Sequence, residues 1–178
     1  FILRTPHSAL LRFTLFHPRV AGTYYEMGFQ YGTILYKHGF RLQEQQDEKL
    51  VFARECETEV KRVFPDVLDE IHGFGDACQT SYESLAALIL TVGAFKPPAA
   101  CSVFAASTGS DNLFGRNYDF YYTFRDRVES YFTKPSNGFS SIGDTDIFVG
   151  REDGVNEKGL AVAMAVVKST EVKPGVSF

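Results

Sequence analysis

"PPAACSVFAAS", residues 97–107, is where the chain changes character. Before it, apolar residues recur at helical spacing; after it, they alternate with a period of two. Two prolines and two alanines lead into Cys101, and a strand of small residues follows. The stretch therefore predicts an α+β chain divided near residue 100: a helical segment over 1–100 and a strand-rich segment over 101–178.

On the N-terminal side, Thr23-Tyr24-Tyr25-Glu26 is a capping box, with the Thr hydroxyl and the Glu carboxylate satisfying each other's orphan N–H groups. Tyr24, Met27, Tyr31, Leu35 and His38 continue at helical spacing. Gly28 and Gly32 lie four apart on one face, which lets another element approach closely at some cost in helix propensity. A charged helix is expected over about Glu44–Phe64, and Pro65 sits where a first helical turn tolerates proline. Asp66–Cys78 reads as helix with Leu68, Ile71 and Gly75 on one side. Ser81 caps a last helix that turns Leu85, Leu88, Ile89 and Val92 inward.

On the C-terminal side, Cys101–Ala106, the turn "TGSDN" and Leu113–Phe120 predict a β-hairpin. Val128–Thr133 and Ile147–Val149 are further strand candidates. "EDGVNEKG" is turn chemistry, and Leu160–Val167 reads as an apolar strand covered on both faces. The tail "VKPGVSF" brings no closing helix, so the second segment reads as half of a layered domain.

Composition narrows the function. A net charge of −4 over 178 residues leaves no basic footprint for nucleic acid. The longest apolar run, around Leu85–Phe95, is interrupted by Thr91 and Gly93 and predicts no membrane span. Phe1-Ile2-Leu3 is apolar, but neither a charged lead nor a cleavage pattern makes it a signal peptide. Three cysteines, Cys56, Cys78 and Cys101, cannot all pair, and read as free thiols in a reducing, cytoplasmic setting. Four scattered histidines give no metal-ligand spacing, so neither metal nor cofactor is expected.

A cysteine at the head of a small-residue strand has two readings. One is plain core packing, the commoner fate of a free cysteine. The other is a nucleophile, which needs a base, a positive environment and an oxyanion site. His7, His17, His38 and His72 all lie in the helical segment, so a local Cys–His pair has no support. A cut between Ala100 and Cys101 supplies a different base. The new α-amino group has an ordinary pKa of about 7.7–8.0, near the working pH where general-base efficiency is greatest. Pro97-Pro98 keep the approach extended, and the small Ala99 and Ala100 leave room for the thiol to attack that peptide bond.

Four blocks then resemble a known family in order. "CSVFAAS", "LFGRNYDF" and "GVNEKGLAVAM" are similar to the start of the choloylglycine hydrolase and acyl-CoA:isopenicillin N acyltransferase families, N-terminal nucleophile hydrolases that act on linear amide C–N bonds, and the leading "GTYYEMGFQYG" resembles the opening of the acyltransferase-like branch, whose members carry a helical pre-segment. The resemblance spans about residue 20 to the end. It implies a four-layer αββα sandwich, with Cys101 opening a central strand, preceded by a helical pre-segment. It also implies that the C-terminal half of that fold lies outside this chain, on a longer product or a second chain.

By that resemblance Cys101 is the nucleophile, and Arg116 is the guanidinium beside it that favours the thiolate. Asp119 holds the α-amino group and the substrate side of the site. The bland alternative for Arg116 and Asp119 is a surface ion pair at the end of a hairpin. Strict alternation puts those two on opposite faces, so a kink is expected near Asn117–Tyr118. Asn117 either orients that kink or is an ordinary polar turn residue. The backbone N–H near Val166 matches the oxyanion donor, unless Val166 is simply core. Tyr118, Phe120, Tyr121, Tyr122 and Phe124 either line an acyl pocket or pack together.

The implied activity is cleavage of an N-acyl amide through an acyl-thioester, as hydrolase or acyltransferase, after autocatalytic cleavage before Cys101. The implied partners are a small-molecule amide, the rest of the fold and a second copy of the chain. The competing reading is a helical interaction module, or an inactive precursor, with a structural cysteine.

Overall fold

The computed structural model describes residues 17–43, 45–92, 94, 100–119, 129–165 and 171–176. Five elements come before the proline-alanine stretch: strand β1 (Arg19–Gly22), then helices α1 (Tyr24–Lys37), α2 (Asp47–Val63), α3 (Asp66–Cys78) and α4 (Tyr82–Leu90). Six strands follow: β2 (Ala100–Ser107), β3 (Asn112–Asp119), β4 (Glu129–Pro135), β5 (Ser141–Thr145), β6 (Asp153–Asn156) and β7 (Ala161–Ala163). The chain is α+β. The strands form a five-stranded sheet in the order β1-β4-β5-β6-β7 and a separate two-stranded sheet of β2 and β3.

The helices start where their caps dictate. The Thr23 hydroxyl accepts from the Glu26 N–H, and the Glu26 carboxylate accepts from the Thr23 N–H at 2.8 Å. Ser81 accepts from the Ser84 N–H at the head of α4. The second helix begins at Asp47, later than the charge pattern suggests, and Pro65 occupies the cap position before α3. The paired glycines do let α3 approach: a Cβ on Gly28 would collide with the Glu70 carbonyl and one on Gly32 with the Phe74 carbonyl, and from the α3 side one on Gly73 would collide with the Tyr25 carbonyl.

The helical segment also contributes to the sheet. β1 pairs in parallel with β4, from Arg19 opposite Phe132 to Gly22 opposite Pro135. One hydrophobic core joins Val20, Met27, Tyr31, Ile71, Phe74 and Ile89 from before residue 100 with Tyr131 and Val149 from after it. Tyr31 stacks on Tyr131 at 4.8 Å between ring centroids and donates its hydroxyl to Glu129. Phe40 meets Phe148 at 4.7 Å.

Several strand expectations change. Ile147–Val149 is not a strand, because Phe148 takes a φ of 77° and breaks the extended chain. Its apolar neighbours are apolar because they fill the core, where Phe148 also packs on Phe74. The strand lies earlier, in β5. "EDGVNEKG" is strand in its first half and turn in its second: the Asn156 side-chain oxygen accepts from the Lys158 and Leu160 N–H groups, and Gly159 takes a φ of 83°. Among the described residues the apolar run from Leu160 yields only the short β7. It is not covered on both faces, since Leu160 is 63% and Val162 54% exposed. Cys101 does not open a central strand among the described residues, as β2 has β3 as its one partner there.

Candidate active site

The hairpin places the candidate residues by register. A turn at 108–111 closes it, with the Thr108 N–H donating to the Asp111 carbonyl and Gly109 at a φ of 88°. Cys101 is opposite Tyr118, Val103 opposite Arg116, Ser102 opposite Asn117 and Ala100 opposite Asp119. Directly opposed residues of an antiparallel pair share a face. Cys101, Arg116 and Tyr118 therefore lie on one face, with Asn117 and Asp119 on the other. The pairing runs unbroken from Asn112 to Asp119, so the kink expected at Asn117–Tyr118 is absent. Asn117 and Asp119 are exposed.

Arg116 is the centre of the inward face, with its side chain only 6% exposed. Its Nη2 donates to the Cys101 sulfur at 3.5 Å, and its Nε to the Met164 carbonyl at 3.1 Å. Its Nη1 is shared between Glu152 Oε2 and Asp153 Oδ2, each at 3.2 Å. The guanidinium carbon sits 4.8 Å from the centre of the Tyr118 ring. Burial opposes its charge, but hydrogen bonds to Asp153 and Cys101 and the Glu152 charge more than offset this and raise its pKa.

A second layer lies behind this pair. The Tyr118 hydroxyl donates to Asp146, whose charge also acts on the Glu152 carboxyl. Burial, with the Asp146 hydrogen bond and charge, pushes Glu152 up to about 8, although Arg116 pulls the other way. Burial and the Asp146 hydrogen bond likewise raise Tyr118. Asp153 is oriented from the other side by the Asp144 N–H.

The three cysteines are free and differ in access. Cys56 and Cys78 are each 2% exposed, and burial pushes the Cys78 thiol up to about 12; Cys101 is half-buried. The His17 ring lies on the Ser130 carbonyl, and His72 stacks on Tyr82 at 3.8 Å. Neither supplies the sulfur with a base in this arrangement. Val166, Phe120, Tyr121, Tyr122 and Phe124 lie outside the described residues. Ala100 is in β2, so the Ala100–Cys101 bond is extended.

The pattern of residues did not disclose Asp146, Glu152 or Asp153. Glu152 and Asp153 sit in a stretch rich in turn residues, 36 and 37 positions from the arginine they hold. No local spacing marks such a contact. Among the described residues no group of three His, Cys, Asp or Glu side chains is placed to hold a metal ion, and no helix is long and apolar enough to cross a membrane.

A guanidinium seated on a half-buried thiol favours the thiolate form of that sulfur. Residues 106–178 match the family model of acyl-coenzyme A:6-aminopenicillanic acid acyl-transferase, an enzyme family related to the N-terminal nucleophile hydrolases. The match takes in Arg116 and Asp119 and begins five residues after Cys101. No curated protein matches the chain.

Proposed function

We propose that the chain is a cysteine N-terminal nucleophile enzyme, a hydrolase or acyltransferase acting on N-acyl amides, and that Cys101 carries the acyl group. The observation that carries the reading is the Arg116 Nη2 contact with the Cys101 sulfur at 3.5 Å, made by a guanidinium whose other nitrogens are already anchored. The family match immediately downstream supports the reaction class.

The first step is processing. The Cys101 sulfur adds to the Ala100 carbonyl, the C–N bond to Cys101 breaks, and its nitrogen takes the proton. Water then hydrolyses the resulting thioester, leaving an Ala100 carboxylate and a free α-amino group. In turnover, that amino group accepts the thiol proton as sulfur attacks the substrate amide. The C–N bond breaks, the proton passes to the leaving amine, and the acyl group stays on sulfur. Water or an incoming amine then attacks the thioester and restores the thiol.

Asp119 is the proposed partner of the released amino group; its Cα stands opposite Ala100 in the hairpin register, one residue from the bond to be cut. The Val166 N–H is the proposed oxyanion donor. Asn117, Tyr118, Phe120 and Tyr122 are the proposed substrate side, residues 1–100 the pre-segment, and residues 101–178 the first half of an αββα sandwich. A cytoplasmic location fits the three free thiols. The full-length protein, purified active, tests this by intact mass, N-terminal sequencing and turnover of N-acyl amides. A new N-terminus at Cys101 and loss of turnover in Cys101→Ala are expected. Turnover by Cys101→Ala would refute the nucleophile, and an active chain with residues 100 and 101 still joined would refute the α-amino base.

A further inference from the structure

We infer that Glu152 is a positioning residue, one that fixes the Arg116 guanidinium on the Cys101 sulfur and sets the charge that the sulfur faces. The inference rests on the nucleophile reading above and assigns a function to a residue that no sequence motif marks.

Three observations carry it. First, a guanidinium is a planar fork, so anchoring two of its nitrogens fixes the third. Here Nε is held by the Met164 carbonyl and Nη1 by Glu152 and Asp153, and the nitrogen left over is the one on sulfur. Second, Glu152 is itself clamped. Its N–H donates to the Asp144 carbonyl at 3.0 Å, and its carbonyl accepts from the Met164 N–H at 2.7 Å. Its carboxyl feels the charge of the nearby Asp146, which in turn takes the Tyr118 hydroxyl. Tyr118 stands directly opposite Cys101, so the chain of contacts closes on the same hairpin rung. Third, Glu152 is buried, so its charge is weakly screened from its neighbours.

The groups that bear on Glu152 are Arg116 and Tyr118 of β3, Asp146 after β5, Asp153 of β6 and, through Arg116, Cys101 of β2. When Glu152 is protonated, Arg116 is balanced by Asp153 alone. When it ionises, near pH 8, a second negative charge enters the cluster and opposes the thiolate. Reactivity at the sulfur then rises less steeply with pH than the arginine alone would allow.

The test is alkylation of Cys101 in the full chain by iodoacetamide, read site by site by mass spectrometry between pH 7 and 9.5. The variants are Glu152→Gln and Glu152→Ala. Gln keeps an acceptor for Arg116 and a donor for Asp146, and cannot ionise. The ratio of the Glu152→Gln rate to the wild-type rate is expected to grow by about threefold or more across that range, the effect of one charge a few ångströms away. At pH 7, Glu152→Gln should label several-fold faster than Glu152→Ala, which lacks the anchor. Superimposed Gln and wild-type profiles, or an Ala variant labelled at the Gln rate, would overturn the proposal. Circular dichroism confirms that each variant is folded, and if Glu152→Ala is not, Glu152→Met, which fills the same space without an acceptor for Arg116, takes its place. The two readings fail separately. Turnover by Cys101→Ala removes the nucleophile without touching the profiles of the chains that keep Cys101, whereas superimposed Gln and wild-type profiles remove the charge role, and an Ala variant labelled at the Gln rate removes the positioning role, without touching the nucleophile.

Discussion

Replacing Gly28 by alanine tests the contact that sets the two central helices against each other. A Cβ on Gly28 would lie 2.0 Å from the Glu70 carbonyl oxygen, 2.9 Å from its carbon and 3.0 Å from the Phe74 nitrogen. Real Cβ atoms essentially never come within 3.0 Å of such neighbours, so α1 and α3 must separate by about 1 Å. A gap of that size forfeits a quarter to a half of the dispersion energy of each contact across it, and Met27, Tyr31, Ile71 and Phe74 belong to the core around that crossing. Overpacking of this kind costs about 1–3 kcal/mol or more, against a gain of about 1 kcal/mol because alanine is the better helix former. The expected result is a net loss of roughly 1 kcal/mol in urea unfolding at pH 7, with an unchanged m-value. Gly73→Ala should cost a similar amount, because its Cβ meets the Tyr25 carbonyl at the same 2.0 Å. The double variant should cost less than the sum, since one separation relieves both clashes. Gly75→Ala, whose nearest neighbour is at 3.1 Å, should be close to neutral. A Gly28→Ala variant more stable than the wild type, or strict additivity with Gly73→Ala, would refute the close crossing.

Arg116→Ala strips the cation from Glu152 and Asp153 and should weaken docking of the hairpin by about 1–3 kcal/mol, below the full cost of breaking a buried pair because Glu152 is largely protonated at pH 7. Hydrogen exchange at the amides of 101–107 and 112–119 should accelerate tenfold or more, and unchanged exchange would contradict the assignment. Glu70→Gln tests the buried carboxyl of α3, which burial pushes up to about 7 against the pull of Arg151. Because this folded pKa is above the unfolded value, the wild type loses stability as pH rises from about 4.5 to 7. The Gln variant should gain on it by about 1–3 kcal/mol over that window, and parallel stability–pH curves would refute the assignment.

The helices could be read from local signals because their determinants are local. Thr23 and Glu26 cap within one turn, Ser81 caps α4, and Gly28 and Gly32 mark the face that α3 approaches. The strands were harder for a physical reason: a strand exists through a partner that the sequence does not name. β1, four residues without clear alternation, is a strand because β4 pairs with it. Ile147 and Val149 have strand composition, yet Phe148 at positive φ removes them from the sheet. The same contrast divides the site. Cys101 and Arg116 were recognisable from a hairpin and a motif, and the register brings their side chains to one face. Asp146, Glu152 and Asp153 reach Arg116 and Tyr118 only because the end of β5 and the start of β6 come to the hairpin.

The shared core governs the fate of the two pieces once the proposed cut between Ala100 and Cys101 is made. The helical segment is not hung on the sheet by the linker alone. It supplies β1, which pairs along β4, and the Tyr31 hydroxyl bonded to Glu129 at 2.5 Å. Tyr31 stacks on Tyr131, Phe40 packs on Phe148, and Val20 shares the core with Val149. Each large apolar side chain buried in this way contributes about 1.5–3 kcal/mol, so half a dozen of them amount to roughly 10 kcal/mol before any hydrogen bond is counted. Association of separate pieces costs about 4–15 kcal/mol in lost freedom, which puts the two terms in the same range. The parallel β1–β4 ladder and the Tyr31–Glu129 bond then tip the balance toward a complex. The processed protein should therefore elute from a sizing column at micromolar concentration as one species, resolved into two chains only under denaturing conditions. Elution of the product beginning at Cys101 without its helical partner would show that the shared core does not hold the pieces together. The pre-segment would then be a propeptide released on maturation rather than a lasting subunit.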